Sequence, residues 1–479
     1  MYEYNSRMTE KFPGFVKFSK FFDRFFHSPY YLFSLLLIST FGFVFNAEII
    51  SIALLLLYVS LNLVSCRDIA PSFVAAVLIS LVPMQYANTP LDGFSVFIYA
   101  PIVFVPAIVL RFVFFPFKFV KGKNLIPLIV YSVVLILGGL GSEITAREYF
   151  AFYPLYTMLG LGVLQTLMYM FWQSYIPDNP DKTVIYFCKM MCTIAVASMV
   201  MIVATYIKYF INHPEVPFKF VFFPWKNYIS DILMLTMPFA FFLAVKSNFK
   251  ITGIAFGLLQ YLCIIFTQSG GGILFSTLMM PILIVYTLLK IEKTQRITVI
   301  IFLSALIICI LAFLLYKKDV FIALYKRKLE TGGSNRLTLY KIAIEEFKKY
   351  PVFGVGFGFV HEFMIKSGFI MTYFHSTFFQ ALGATGIVGV LGYAYMAFCR
   401  LKTYVRKNVF NIFLVIGFLG YAGYSMVDVG TVMPFPFAMM CTFMLVITEK
   451  YNAYHDTPVP KNKSHLRIFF KSRCKETIS

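Results

Sequence analysis

The feature that most constrains this chain is a succession of apolar runs long enough, or nearly so, to cross a bilayer. They fall at about 30–46, 48–65, 70–87, 94–114, 124–141, 149–171, 183–211, 228–245, 250–267, 270–289, 297–315, 376–398, 410–427 and 430–448. A hydrocarbon core offers no water to backbone polar groups, so runs of this length become helices that satisfy their own N–H and C=O. Composition agrees, with 59% hydrophobic and 13% charged residues, where soluble domains carry roughly 25% charged. The expected fold is all-α, a polytopic integral membrane protein with about fourteen (12–14) transmembrane helices and one long outer loop containing a helix.

The net charge of +20 would suggest nucleic acid in a soluble protein. Here the positive-inside rule explains it, and no nucleic-acid partner is expected. With the N-terminus inside, the cytoplasmic joints read "RFVFFPFKFVKGK", "KSNFK", "KIEKTQR" and "RLKTYVRK". The short outer joints "NAE", "ANTPLDG" and "SEITARE" are nearly neutral. The chain divides into a cytoplasmic amphipathic segment 1–29, helices over 30–315, an outer loop 316–375, three helices over 376–448 and a basic cytoplasmic tail 449–479. No cleavable signal peptide is apparent. In the first segment Phe15, Phe18, Phe22 and Phe25 alternate with Lys17, Lys20 and Arg24, the pattern of a basic helix lying on the cytoplasmic leaflet. The eight cysteines lie mostly inside apolar runs, and no disulfide is expected. The i,i+4 pair Cys188 and Cys192 has no histidine nearby, so no metal is expected there.

The loop 316–375 breaks the charge pattern, for it holds ten Lys and Arg on the outer side, among them Lys326, Arg327, Lys328 and Arg336. Either an anionic ligand or an ordinary solvated loop accounts for them. "TGGSNRLTLYKIAIEEFKKYP" reads as a helix with Ser334 as N-cap, an apolar stripe of Leu337, Tyr340, Ile344 and Phe347, a Glu345–Lys349 pair, and Pro351 at its end. Arg336 falls in its first turn, where free N–H groups and the helix dipole favour an anion. "GVGFG" at 354–358 lacks a βαβ context for nucleotide binding. It reads instead as a turn that folds the loop tightly over the mouth.

No Asp-x-Asp, Walker or His–Glu zinc pattern supports metal-assisted use of a soluble nucleotide sugar. What remains outside is histidine, clustered cations and a few carboxylates. Cations stabilise charge developing on a pyrophosphate leaving group. A neutral histidine takes the proton from an attacking hydroxyl. His375 stands at the outer mouth just before a helix, either as that base or as an interfacial histidine satisfied by backbone or headgroups. His361 is a second candidate in the same loop. Gly383, Gly386 and Gly389 then share a helical face that would admit a neighbouring helix closely.

"SNRLTLYKIAIEEFKKYPVFGVGFG" followed by "HSTFFQALGATGIVG" resembles the signature region of the O-antigen polymerase and O-antigen ligase superfamily. The likeness rests on an arginine opening a loop helix, then Pro and Gly-x-Gly. His375 and Ser376 follow, then nine residues, then Gly386-Ile-Val-Gly389. The resemblance implies a metal-independent, inverting glycosyltransferase in a bacterial cytoplasmic membrane, without a cofactor. Its partners would be an undecaprenyl-pyrophosphate-linked glycan donor, a glycan acceptor and the lipid bilayer, with room for a chain-length regulator. His375 would activate the acceptor hydroxyl and Arg336 hold the pyrophosphate. Arg327, Lys328, His361 and Ser376 are further substrate-binding candidates. The sequence departs from the family where relatives carry a Ser-Arg pair opening a mid-chain helix. "TQSGGG" places Gly270 there, and Arg327 is a candidate substitute. Length and helix number favour a polymerase over a ligase that moves finished glycan to lipid A core. A flippase or transporter is the remaining alternative, although no internal repeat is visible.

Overall fold

A computed structural model describes residues 13–85, 100–145, 158–177, 180–214, 225–248, 250–316, 336–357, 373–428, 430 and 434–456. Among these residues the secondary structure is helical, with no strand. The α-helices are α1 (Pro13–Phe26), α2 (Pro29–Phe45), α3 (Glu48–Ser65), α4 (Ser72–Leu81), α5 (Ala100–Phe114), α6 (Leu125–Thr145), α7 (Leu164–Tyr175) and α8 (Pro180–Asn212). They continue with α9 (Lys226–Lys246), α10 (Lys250–Thr267), α11 (Gly270–Lys290), α12 (Lys293–Tyr316), α13 (Arg336–Lys349), α14 (Thr377–Tyr404), α15 (Val409–Ser425) and α16 (Met439–Asp456). Each of the fourteen apolar runs holds a helix, while α1 and α13 lie outside them. Among the described residues six helices are long and apolar enough to cross a membrane, α3, α8, α9, α10, α11 and α14. The pair α1 and α2, bent by 69°, passes that test together, and four shorter apolar helices join them. The protein is an all-α polytopic membrane protein.

Helix ends follow local chemistry. Ser28 caps α2 with Pro29 at the first position, and Asn46 ends it in the left-handed region. The tight joint at "TQSGGG" turns at Gln268, φ 59°, and Ser269 caps α11 by accepting from Gly272 N–H. Helix α9 is the hub. Every residue from Ile229 to Phe242 is buried, against α8, α10, α11 and α15.

At the opposite end of the bundle from Ser376, polar locks join the helices. Buried Glu449 accepts from Lys123 N–H (3.0 Å), Asn124 N–H (2.9 Å), Tyr169 O–H (2.5 Å) and Gln173 Nε2 (2.8 Å). Arg111 and Arg400, expected as loop charges, lie inside α5 and α14 instead. Apolar flanks on both sides carry α5 past Arg111, and α14 runs one further turn past Arg400. Arg111 is fully buried, donating to the carbonyls of Leu63 (2.8 Å), Cys66 and Arg67 (2.6 Å) at the end of α3.

One break shapes the rest. Helix α14 is interrupted at Gly386, φ 64° and ψ −159°, a region essentially closed to other residues. The interruption frees backbone groups, and the segment after α13 supplies their partners. Ile387 N–H donates to Pro351 O (2.9 Å), Val388 N–H to Val352 O (3.3 Å), and Val355 N–H to Gly383 O (3.0 Å). Gly354, φ 69°, enters so closely that a Cβ there would lie 2.5 Å from the Ala384 carbonyl carbon. This corrects the expectation of a glycine face at Gly386, whereas Gly383 does admit a neighbouring helix closely, α13 at Ala343. Gly386 is a chain break, filled by the first part of "GVGFG". Gly386→Ala should lower thermal stability in detergent by more than the ~1–2 kcal/mol of a left-handed residue, because its Cβ would also stand 2.5 Å from Val352 O. A melting temperature equal to wild type would count against the break.

Helix α1 docks through Phe15 stacked on Phe114 (4.3 Å) and through His27, whose Nε2 lies 2.9 Å from Asp68 Oδ2. Burial works against the imidazolium, but the Asp68 hydrogen bond and charge, with Asp23, outweigh it and lift His27 to about 9. The raised value means the ion pair stabilises fully below the ordinary histidine value of ~6.5. Its contribution is lost as pH rises through about 9. Protection of residues 13–26 from hydrogen exchange, taken relative to the intrinsic base-catalysed rate at each pH, should therefore fall between neutral and alkaline pH, and His27→Gln should remove that fall.

Candidate active site

Three chain segments meet at the start of α14. The first is α13. It turns Leu339, Ala343 and Glu346 inward, while Leu337 is 73% exposed. The buried stripe is thus rotated from the expected Leu337, Tyr340, Ile344 and Phe347. The cause is the partner surface. A Cβ on Gly383 of α14 would lie 3.4 Å from Ala343 Cα, so small residues face each other, and Tyr340 stacks on Phe379 at 4.2 Å. Lys349 pairs with Glu346 at 2.7 Å rather than with Glu345. The expected Ser334 cap lies outside the described residues.

The second segment carries His375 at φ 50°. A left-handed non-glycine residue costs of order 1–3 kcal/mol and persists only where its surroundings over-determine it. Here they do. Tyr340 O–H donates to His375 O (3.2 Å), Phe374 N–H donates to Gln380 Oε1 (3.0 Å), and Thr377 N–H donates to Asp428 O (3.1 Å). Ser376 is 1% exposed and caps α14 by accepting from Phe379 N–H. Its hydroxyl thus serves the helix. Burial lifts the Tyr340 phenol, with Arg336 pulling it back.

The third segment brings Asp428, just beyond α15. Its Oδ1 is 3.4 Å from His375 Nδ1 and its Oδ2 is 3.6 Å from an Arg336 Nη. Arg336 also donates to Val427 O at 2.6 Å. The His375–Asp428 approach is not aligned as a hydrogen bond, and Nδ1 makes none among the described residues. The structure therefore brings His375 and Arg336 together through one carboxylate. Arg327, Lys328 and His361 lie outside the described residues.

Sequence reasoning missed Asp428. A signal was present, since it is the one acid between Glu362 and Glu449, at the end of an apolar run. Acids in such places are rare and usually partnered. Also missed was the network behind it. Tyr424 O–H reaches Asp428 Oδ2 (3.3 Å) and Ser269 Oγ (3.3 Å), and Ser269 donates to Asn227 Oδ1 (2.8 Å). Buried Asp231 stands beside Gly430, which has no room for a Cβ against its carboxylate.

Helices α11, α13 and α14 all begin at this network, through Ser269, Arg336 and Thr377. Helix N-termini attract anions. Gly271 has no room for a Cβ against Tyr424, whereas a Cβ on Gly270 would meet nothing within 4 Å. The position that departs from the family pattern thus opens onto space. A fixed imidazole, a guanidinium and helix N-termini together suit chemistry at an anionic leaving group.

No curated protein matches the chain. Residues 254–394, from α10 into the second half of α14, match the family model described as O-antigen ligase. Over these residues the chain is similar to that family, a likeness that supports the O-antigen ligase and polymerase superfamily and, with it, a glycosyl-transfer role in polysaccharide assembly.

Proposed function

We propose that the protein polymerises undecaprenyl-pyrophosphate-linked repeat units into surface polysaccharide at the outer face of a bacterial cytoplasmic membrane. The observation that carries this reading is the convergence of His375 and Arg336 on Asp428, within 3.4 and 3.6 Å. Nδ1 of His375 faces the carboxylate, which leaves Nε2 for substrate. An acceptor hydroxyl loses its proton to Nε2 as its oxygen bonds the donor's anomeric carbon. The bond from that carbon to the pyrophosphate oxygen breaks on the opposite face, and the configuration inverts. The electron pair leaves with the pyrophosphate, where Arg336 and the helix N-termini stabilise it. Metal is not required, because the protein's own cations meet the charge. Arg327 and Lys328 add to that field, and His361 is a reserve contact for substrate.

The same residues serve a ligase that transfers finished glycan to lipid A core. The description of the matched family is the observation in its favour. Purified protein given lipid-linked repeat units alone distinguishes the two. A ladder of products is expected for the polymerase, and reaction only after lipid A core is added would assign the ligase.

His375→Ala should lower turnover by the ~10²–10⁴-fold typical of a positioned base, with protein level unchanged. Full chain length in that variant would exclude His375 from the chemistry. Asp428→Asn keeps the shape but removes the negative charge that faces the imidazole, and turnover should fall by roughly 10²-fold or more with a displaced pH profile. An unaltered pH profile would reduce Asp428 to a structural role.

A further inference from the structure

A second feature lies away from the site. Between α14, α15 and α6 there is a cavity of about 320 Å³. Its wall follows α14 from Tyr393 through Met396 to Arg400, and α15 from Phe418 through Ala422 to Met426. It is apolar except for one charge. Phe398, 64% exposed, stands in its lining, so the cavity meets the lipid-facing surface.

The charge is Arg400. It belongs to a helix apolar enough to span, four residues before its end. Its Nε is buried without a hydrogen bond, and its guanidinium makes no ion pair among the described residues. Among the described residues the ionisable groups that act on it are Tyr131, Tyr393, Tyr404, Tyr421 and Cys441, none of them a carboxylate. Arg111, buried within α5, shows the usual solution, with three carbonyls around its guanidinium. Arg400 has no such set. A charge at membrane depth without partners is costly and marks a ligand site. Lys402, Arg406 and Lys407 follow it, exposed at the same end of the bundle, where basic residues concentrate anionic lipids.

We propose that this cavity binds an anionic phospholipid, its phosphate on the Arg400 guanidinium and an acyl chain along the wall formed by Tyr393, Met396, Phe418 and Ala422. A guanidinium offers phosphate a bidentate pair of donors. The apolar wall accepts a chain, and the lipid-facing side gives it entry from the bilayer. A zwitterionic lipid would carry an ammonium toward Arg400 as well as its phosphate, so the site selects anionic headgroups. The assignment is independent of the glycosyl-transfer reading.

The test is native mass spectrometry of the whole protein in detergent with phosphatidylglycerol or phosphatidylcholine. Wild type is expected to retain phosphatidylglycerol about tenfold more strongly, the factor of ~1.4 kcal/mol. Arg400→Gln should abolish the preference, Arg400→Lys should keep much of it, and Ala422→Phe should reduce retention of both lipids. His375→Ala should leave retention unchanged. Equal retention of the two lipids by wild type would overturn the proposal, as would an undiminished preference in Arg400→Gln. If Arg400→Gln does not fold, loss of retention in Ala422→Phe supports the cavity and its absence refutes it. Displacement of phosphatidylglycerol by undecaprenyl phosphate at equal concentration would reassign the cavity to a polyprenyl tail.

Discussion

The interruption of α14 at Gly386 is the constraint on which the site depends. Backbone groups freed within a bundle must find partners, because an unsatisfied one costs several kcal/mol in hydrocarbon. They find them in the segment that leaves α13, through Pro351, Val352 and Val355. The helix bearing Arg336 is thereby tied by main-chain hydrogen bonds to the helix that begins after His375. Side-chain packing completes the joint, with Ala343 against Gly383 and Tyr340 on Phe379. The two candidate residues are 39 positions apart in sequence, yet their relative placement rests on rigid elements rather than on the loop between them.

The rest of the bundle is held on the same principle. Apolar contact alone gives little preference between helix and lipid, so buried polar locks select the partners. Glu449 of α16 joins the start of α6 to α7 through five donor groups on four residues. Arg111 closes the end of α3. Ser230 and Thr267 share a hydrogen bond of 2.7 Å between α9 and α10. The last of these contacts holds the hub α9, from whose first turn Asn227 reaches Ser269 and the site network.

Much of this was legible in the sequence, for identifiable reasons. Apolar runs marked the helices because hydropathy is a local property. Ser376 and Arg336 were legible as helix starts, since capping is local too. Failures came where the decisive partner is distant. Gly383, Gly386 and Gly389 have the spacing of a helix face, and only the arrival of Gly354 makes Gly386 a break. Leu337 has the right period for a stripe, but the surface opposite is small and selects Leu339 and Ala343. Asp428 has no motif around it and lies beyond the matched family region, so its role follows from folding alone.

Charge and strain at the site point the same way. Of the three described non-glycine residues at positive φ, Gln268 and His375 belong to the site, and each directly precedes a serine that caps a helix, Ser269 for α11 and Ser376 for α14. The left-handed residue turns the chain sharply, so the helix N-terminus that follows faces inward to the network. Positive ends of helices near a guanidinium repel one another when no anion is present. Asp428 relieves that repulsion, lying within 3.6 Å of Arg336 and 3.4 Å of His375 while Tyr424 donates to it. In the proposed reaction an arriving pyrophosphate would take over the same cations. Arg336 would then turn from the carboxylate toward the donor, and Asp428 would be left facing the imidazole at the moment a proton is transferred to it.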